Sequence, residues 1–263
     1  SRVAVIGGGW IGLETAAAAR SAGAEVTVLE AAELPLLRVL GREVAEVFAS
    51  LHRDHGVDVR TGVQVAEITG AGRADGVLLG DGSRVAADVV VVGVGITPNT
   101  QLAAQAGVKV DNGVVVDERL RSSDPDIYAA GDVACAFHPQ LGKHIRVEHW
   151  ANALNQPLIA ARAMLGQDVA YDRVPYFYTD QYDLGMEYSG WAPPGSYDRV
   201  VIRGDLGGRE FVAFWLSGGR VLAGMNVNVW DVNDAIQALV SDGRPMDPAR
   251  LSDPGVPLEE VAG

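Results

Sequence analysis

The first pattern along the chain is a continuous apolar run, Val3-Ala4-Val5-Ile6, which suits a parallel strand covered on both faces. Gly7-Gly8-Gly9 interrupts it. From Ile11 to Ala22 an alanine-rich stretch follows, high in helix propensity and small enough to pack closely on a sheet. Gly23 stands where a helix ends. Glu25-Val26-Thr27-Val28-Leu29 predicts the next strand, with Glu30 at its carboxyl end. Strand, glycine turn, helix and strand make one βαβ unit.

Residues 41–55 place Val44, Val47, Phe48 and Leu51 at helical spacing and predict a second helix. Between 57 and 92 the period falls to two. Strands are expected at Val57–Val59, Val63–Ile68 and Val77–Leu79, with Asp81-Gly82 as a hairpin turn. Val89–Val92 predicts another buried strand, running into Gly93-Val94-Gly95. Residues 1–112 therefore resemble a dinucleotide domain in which a β-meander replaces one crossover helix. Short strands are expected at Val114–Val116 and Ile127–Ala129, ahead of Gly131-Asp132, and a helix between Ala151 and Leu165. The last third is richer in Tyr, Trp and Phe. Strands near 184–190, 198–203, 210–216 and 220–229 and a helix over 231–241 predict a separate α+β domain, with a loop-like tail from Pro245. The fold class is α/β: a Rossmann-like three-layer dinucleotide-binding domain with a β-meander, plus a C-terminal α+β domain.

Composition narrows the function. The 263 residues are 48% apolar and 21% charged, enough to bury a core. No run reaches the roughly eighteen apolar residues of a transmembrane helix, and the start lacks a secretory signal pattern. The single cysteine, Cys135, leaves no intramolecular disulfide and no CxxC pair, and fits a reducing cytoplasm. A net charge of −13 without a Lys/Arg cluster argues against nucleic acid as a partner.

The chemistry sits in the first unit. Gly7-Gly8-Gly9-Trp10-Ile11-Gly12 fits G-x-G-x-x-G. The first glycine allows a tight turn, the second lets a pyrophosphate approach the backbone, and the third permits helix–strand contact. Alone the pattern is weak. Here it follows a strand, opens a helix, and has an acid, Glu30, eighteen residues after Gly12. Glu30 is expected to accept hydrogen bonds from the adenosine ribose and to repel a 2′-phosphate, which selects NADH over NADPH. Arg38 lies well past the strand end. The five histidines, His52, His55, His138, His144 and His149, show no metal-ligand spacing, so surface or packing roles are expected of them.

Gly7–Gly12 with Leu13-Glu14, then Gly93-Val94-Gly95-Ile96-Thr97-Pro98-Asn99, then Tyr128-Ala129-Ala130-Gly131-Asp132 occur in the order found in two-dinucleotide flavoprotein reductases. Glu148 to Gln156 and Phe177 to Asp183 narrow the likeness. The chain resembles the ferredoxin reductase group of the FAD-dependent pyridine nucleotide-disulfide oxidoreductase superfamily, which includes putidaredoxin reductase and biphenyl-dioxygenase ferredoxin reductase. The resemblance implies hydride transfer from NADH to FAD and delivery of electrons to a [2Fe–2S] ferredoxin. It implies that Glu14 orients the nicotinamide, with Gly7, Gly9, Trp10, Ile11, Gly12 and Glu30 around the nucleotide. Gly95 and Pro98 would bring a loop close to the NADH. Gly131 and Asp132 would meet the ribityl or phosphate part of FAD, and Glu148 and Trp150 would lie beside the isoalloxazine.

The family also carries an earlier glycine fingerprint for FAD, and only one fingerprint is found here. With a buried strand so near the first residue, the expectation is a chain lacking the N-terminal FAD-binding segment. Its parts would be an NAD-binding domain (1–112), a trailing segment of the FAD-binding domain (113–165) and a C-terminal reductase domain (166–263). Two other readings stay open: an NADH-binding module without catalysis, and a related disulfide reductase, for which His138-Pro139 is the one His-Pro pair in the chain.

Overall fold

The computed structural model describes residues 1–261. Strand β1 (Arg2–Ile6) leads through the glycine turn into α1 (Trp10–Ser21) and back to β2 (Glu25–Glu30). A one-turn helix α2 (Leu37–Leu40), not foreseen from the pattern, precedes α3 (Arg42–Asp54) and β3 (Asp58–Thr61). The meander is β4 (Val65–Thr69), β5 (Gly76–Leu79) and β6 (Arg84–Ala86), followed by β7 (Val89–Val92) and the short α4 (Gln101–Gln105). Strands β1, β2, β3 and β7 pair in parallel in the order β3-β2-β1-β7.

Alternation along β1 builds the layers. Val5 points into a core shared with Leu13, Ala16, Val44 and Phe48 of the helices, whereas Ala4 and Ile6 point to Val77, Leu79 and Val85 of the meander. Helices, parallel sheet and meander are thus the three layers of the first domain.

Strand β8 (Val114–Val116) pairs in parallel with β9 (Ala134–His138), which pairs with β10 (Lys143–Arg146), and α5 (Trp150–Met164) follows. The β9–β10 hairpin was not legible in the sequence. The strand expected at Ile127–Ala129 is reduced to one bridge between Arg121 and Tyr128. A 3-10 turn at Gly131–Val133 leads into β9.

The last third is a five-stranded antiparallel sheet. Its strands are β11 (Tyr176–Gln181), β12 (Leu184–Gly190), β13 (Arg199–Asp205), β14 (Glu210–Ser217) and β15 (Arg220–Val227), in the order β11-β12-β15-β14-β13. Helices α6 (Asn233–Asp242) and α7 (Pro248–Ser252) cover one face, where Val212, Phe214 and Leu216 meet Ile236, Leu239, Leu251, Leu258 and Val261. The tail from Pro245 is therefore a packed segment, anchored by Arg203 donating to the carbonyls of Asp253 and Val256.

The other face of this sheet is buried on the first domain. Phe211, Ala213, Trp215, Met186 and Tyr188 belong to the same cluster as Val5, Leu13 and Phe48, and Trp215 Nε1 donates to the Leu40 carbonyl at 3.2 Å. Each large side chain fully buried this way stabilises by roughly 1.5–3 kcal/mol. The two domains share one core.

Candidate functional site

A cleft of about 610 Å³ opens at the carboxyl ends of β1 and β2. Gly7, Gly8, Gly9, Glu30, Ala32, Arg38, Gly93 and Gly95 are among its walls. The turn that makes it tolerates little change. A Cβ on Gly12 would stand 2.1 Å from the Gly7 carbonyl oxygen, so a side chain there would push helix from strand. Gly9 is different. A Cβ there would meet nothing within 4 Å, and its φ of −78° asks for no glycine. Its missing side chain leaves room above the backbone, as a diphosphate pressed onto this turn requires. No side chain caps the start of α1, so the orphaned amides of its first turn and the positive end of its dipole remain for an anion.

Glu30 is fixed in this cleft by two backbone donors: Gly8 N–H at 2.6 Å to Oε2 and Ala32 N–H at 2.7 Å to Oε1. A carboxylate has about four lone-pair sites, so ribose hydroxyls still find acceptors. Arg38, well past the strand end in sequence, is in the cleft wall because α2 folds the segment back.

The other predicted residues gather around β11, which runs between α1 and α5. Phe177 faces Trp10 (5.2 Å between ring centroids) and His149 (4.5 Å). Tyr178 meets the edge of Trp150 at 6.3 Å, and the Thr179 hydroxyl donates to Glu14 Oε1. Trp10 thus turns its ring into the core, edge-on to Phe48, and offers the cleft its backbone, while Ile11 is exposed. Gly95 lines the cleft; Pro98, half-buried, does not.

Gly131 is buried, its N–H donating to Gln156 Oε1 at 2.8 Å, and Asp132 is exposed beside it. Glu148 pairs with Arg146 at 2.5 Å. Trp150 is 66% exposed at the start of α5. An exposed indole flanked by Tyr178, with a free carboxylate on the Gly131 turn, fits the ring and the polyol chain of a flavin.

Three residues outside the predicted site set sit against this region. His52, Thr179 and Gln181 are fully buried and hydrogen-bonded to one another. Burial pushes the His52 imidazole below its ordinary value, and it lowers His149 to about 4, so both stay neutral near pH 7. No local motif marks them: His52 lies on α3, and Thr179 and Gln181 lie on β11 among Tyr and Asp residues. Cys135 is half-buried, and burial first, then the charge of Asp111, raises its thiol, which makes it a poor nucleophile. Among the described residues no helix is long and apolar enough to cross a membrane, and no group of three or more His, Cys, Asp or Glu is placed to hold a metal.

Residues 1–156 match the family described as pyridine nucleotide-disulphide oxidoreductase, and residues 176–262 match the reductase C-terminal family. The chain is 41% identical to putidaredoxin reductase CamA of Pseudomonas putida over 99% of its own length and 62% of that protein's. It is 42% identical to the ferredoxin–NAD(+) reductase component of the anthranilate 1,2-dioxygenase system of Burkholderia cepacia, over 98% and 63%. Among solved structures, the ferredoxin reductase for the CYP199A2 system of Rhodopseudomonas palustris superposes with a TM-score of 0.92 at 36% identity, over 100% of this chain and 65% of that one. Putidaredoxin reductase in its covalent complex with putidaredoxin gives 0.92 at 40%, over 99% and 63%. The chain spans less than two thirds of the length of these relatives.

The expectation of a missing N-terminal FAD-binding segment is corrected here: the family match assigns residues 1–156 to that domain. Counting glycine fingerprints weighed a single local feature. The family pattern is carried by the whole succession of buried strands, turns and helix through Gln156. The chain belongs to the pyridine nucleotide-disulphide oxidoreductase family.

Proposed function

We propose that the protein acts as an FAD-dependent, NADH-oxidising ferredoxin reductase that passes electrons to a [2Fe–2S] ferredoxin. The observation that carries this reading is the cleft in which Gly8 and Ala32 amides hold the Glu30 carboxylate beside the open backbone of Gly9. The names of the relatives, reductases of putidaredoxin and of an oxygenase system's ferredoxin, supply the partner class.

In this reading residues 1–112 hold NADH, 113–165 face the flavin and 166–263 form the reductase domain. Backbone amides from Gly9 to Gly12 receive the pyrophosphate, those of Gly7 and Gly8 being held by the Leu29 carbonyl and Glu30, and Glu30 receives the adenosine ribose. Glu14 orients the nicotinamide carboxamide, while Gly95 and Pro98 belong to a loop brought close to the nucleotide. Gly131 and Asp132 hold the ribityl or phosphate part of FAD. Bound FAD supplies hydride acceptance and the division of an electron pair into single electrons. Trp150, with Glu148 near it, shields the ring system from water, and the protein's task is positioning and exclusion of solvent. The single cysteine, which fits a reducing compartment, supports a cytoplasmic setting for this work.

The test is oxidation of NADH and NADPH by the FAD-supplemented protein, with bleaching of a [2Fe–2S] ferredoxin as the readout. A 2′-phosphate near Glu30 costs on the order of 1–3 kcal/mol, so NADH is expected to be favoured roughly 5- to 150-fold in kcat/KM, and Glu30→Gln to narrow that ratio. Preference for NADPH, or no ferredoxin bleaching, overturns the reading.

A further inference from the structure

A line of buried and half-buried hydrogen bonds ends on Glu14, and its members behind Glu14 have none of the roles above. Tyr182 Oη lies 3.4 Å from His52 Nδ1, and His52 Nε2 lies 2.9 Å from Gln181 Oε1. Gln181 Nε2 donates to Thr179 Oγ1 at 3.3 Å, and the Thr179 hydroxyl donates to Glu14 Oε1. Helix α3 supplies His52, strand β11 supplies Thr179 and Gln181, and α1 supplies Glu14. Thr179 and Glu14 are 165 residues apart in sequence, so only the packing of the C-terminal sheet on the first domain brings them together.

Donor arithmetic gives the line a direction. Thr179 has one hydroxyl hydrogen, spent on Glu14, so its oxygen accepts from the Gln181 amide. The Gln181 carbonyl then accepts from His52 Nε2–H, which leaves Nδ1 bare to accept from Tyr182. Every bond points toward Glu14, and bonds aligned in one direction polarise and strengthen each other. A neutral His52 with a single N–H is what the line needs, and burial favours that form.

The far end is held at a cost. Tyr182 has φ +58°, a region that bulky residues rarely adopt, and its ring stacks on His55 at 3.8 Å with planes 6° apart. That geometry seats its hydroxyl at His52. Glu14 Oε2, by contrast, has no hydrogen-bond partner among the described residues, and the residue itself is exposed.

We infer that Thr179, backed by Gln181 and His52, is a positioning residue through which the C-terminal domain holds one oxygen of Glu14 so that the other meets the nicotinamide carboxamide of NADH. The inference rests on the assignment of Glu14 to the nicotinamide end of the site. An exposed glutamate otherwise samples many rotamers and must be ordered when NADH binds; Thr179 orders it beforehand.

The test compares NADH with ADP-ribose, which keeps the diphosphate and adenosine but lacks nicotinamide, by calorimetric titration of the full chain. Thr179→Val is expected to weaken NADH roughly three- to tenfold and to leave ADP-ribose within about twofold. Thr179→Ser, which keeps the hydroxyl, is expected to restore NADH binding. Gln181→Met removes the bond behind Thr179 without touching Glu14 and is expected to act in the same direction with a smaller loss; it serves if Thr179→Val fails to fold. An unchanged ratio of NADH to ADP-ribose affinity in folded Thr179→Val and Gln181→Met overturns the positioning role alone. Failure of the unaltered chain to bind either ligand overturns the cleft assignment and this inference with it.

Discussion

Helices α3 and α5 carry their apolar side chains to opposite ends, although α5 is the more apolar of the two. In α3, Val44, Val47, Phe48 and Leu51 vanish into the core between the parallel sheet and the C-terminal sheet, and seven of its residues are buried. In α5 only Asn152, Gln156 and Ala160 are buried, while Trp150, Leu154 and Leu158, spaced by four, stay exposed. The buried face of α5 is partly polar and binds the Gly131 turn through Gln156 and the Val147 carbonyl through Asn152. An apolar stripe therefore marks the core in one helix and an open surface in the other. Periodicity alone does not tell them apart.

The comparison can be broken by substitution. Phe48→Ala, in the middle of the shared core, is expected to cost about 3–5 kcal/mol of stability, read from the denaturation midpoint, because the cavity lies where two domains meet. A cost under 1 kcal/mol would mean that the domains do not depend on that core.

A smaller effect belongs to the start of α5. His149 is neutral in the folded protein, with its pKa lowered by burial from 6.5 to about 4, and Nδ1 has no partner. Unfolding below pH 6.5 therefore takes up a proton, and stability falls as pH drops from about 6.5 to about 4, then levels off. The whole span is on the order of 3 kcal/mol, and His52, lowered by the same cause, adds to it in the same direction. His149→Phe keeps a ring against Phe177 and is expected to flatten the slope; a slope unchanged in that variant would place the titration elsewhere. The smallest effect is the sharpest contrast. Leu158→Ser on α5 is expected to move stability by less than about 0.5 kcal/mol, and a loss comparable to that of Phe48→Ala would show that α5's outer face is a core after all.

Much of the first domain was legible because its signals are local. The apolar run of β1, the glycine turn, the alanine-rich helix and Glu30 lie within thirty residues, and each follows from backbone sterics or periodicity. Four of the five antiparallel strands of the last third were likewise visible, since alternation along β14 separates Phe211, Ala213 and Trp215 from Val212, Phe214 and Leu216, whereas β11 was not. The short α7 was hidden, because a five-residue helix has little stability of its own and forms against β13, whose Val201 shares a core cluster with Leu251. The β9–β10 hairpin was hidden for a related reason: β9 also pairs with β8 from an earlier part of the chain, and that pairing leaves no local trace.

What the amino-acid order determines by itself is the nucleotide turn, where steric and dipolar demands fall on neighbouring residues. Which apolar stripe is covered, and that His52, Gln181 and Thr179 line up on Glu14, was decided only when the C-terminal sheet closed on α1 and α3. Hydrophobic burial has no direction and polar partners separated by 129 to 165 residues leave no local trace, so these arrangements exist only in the packed chain.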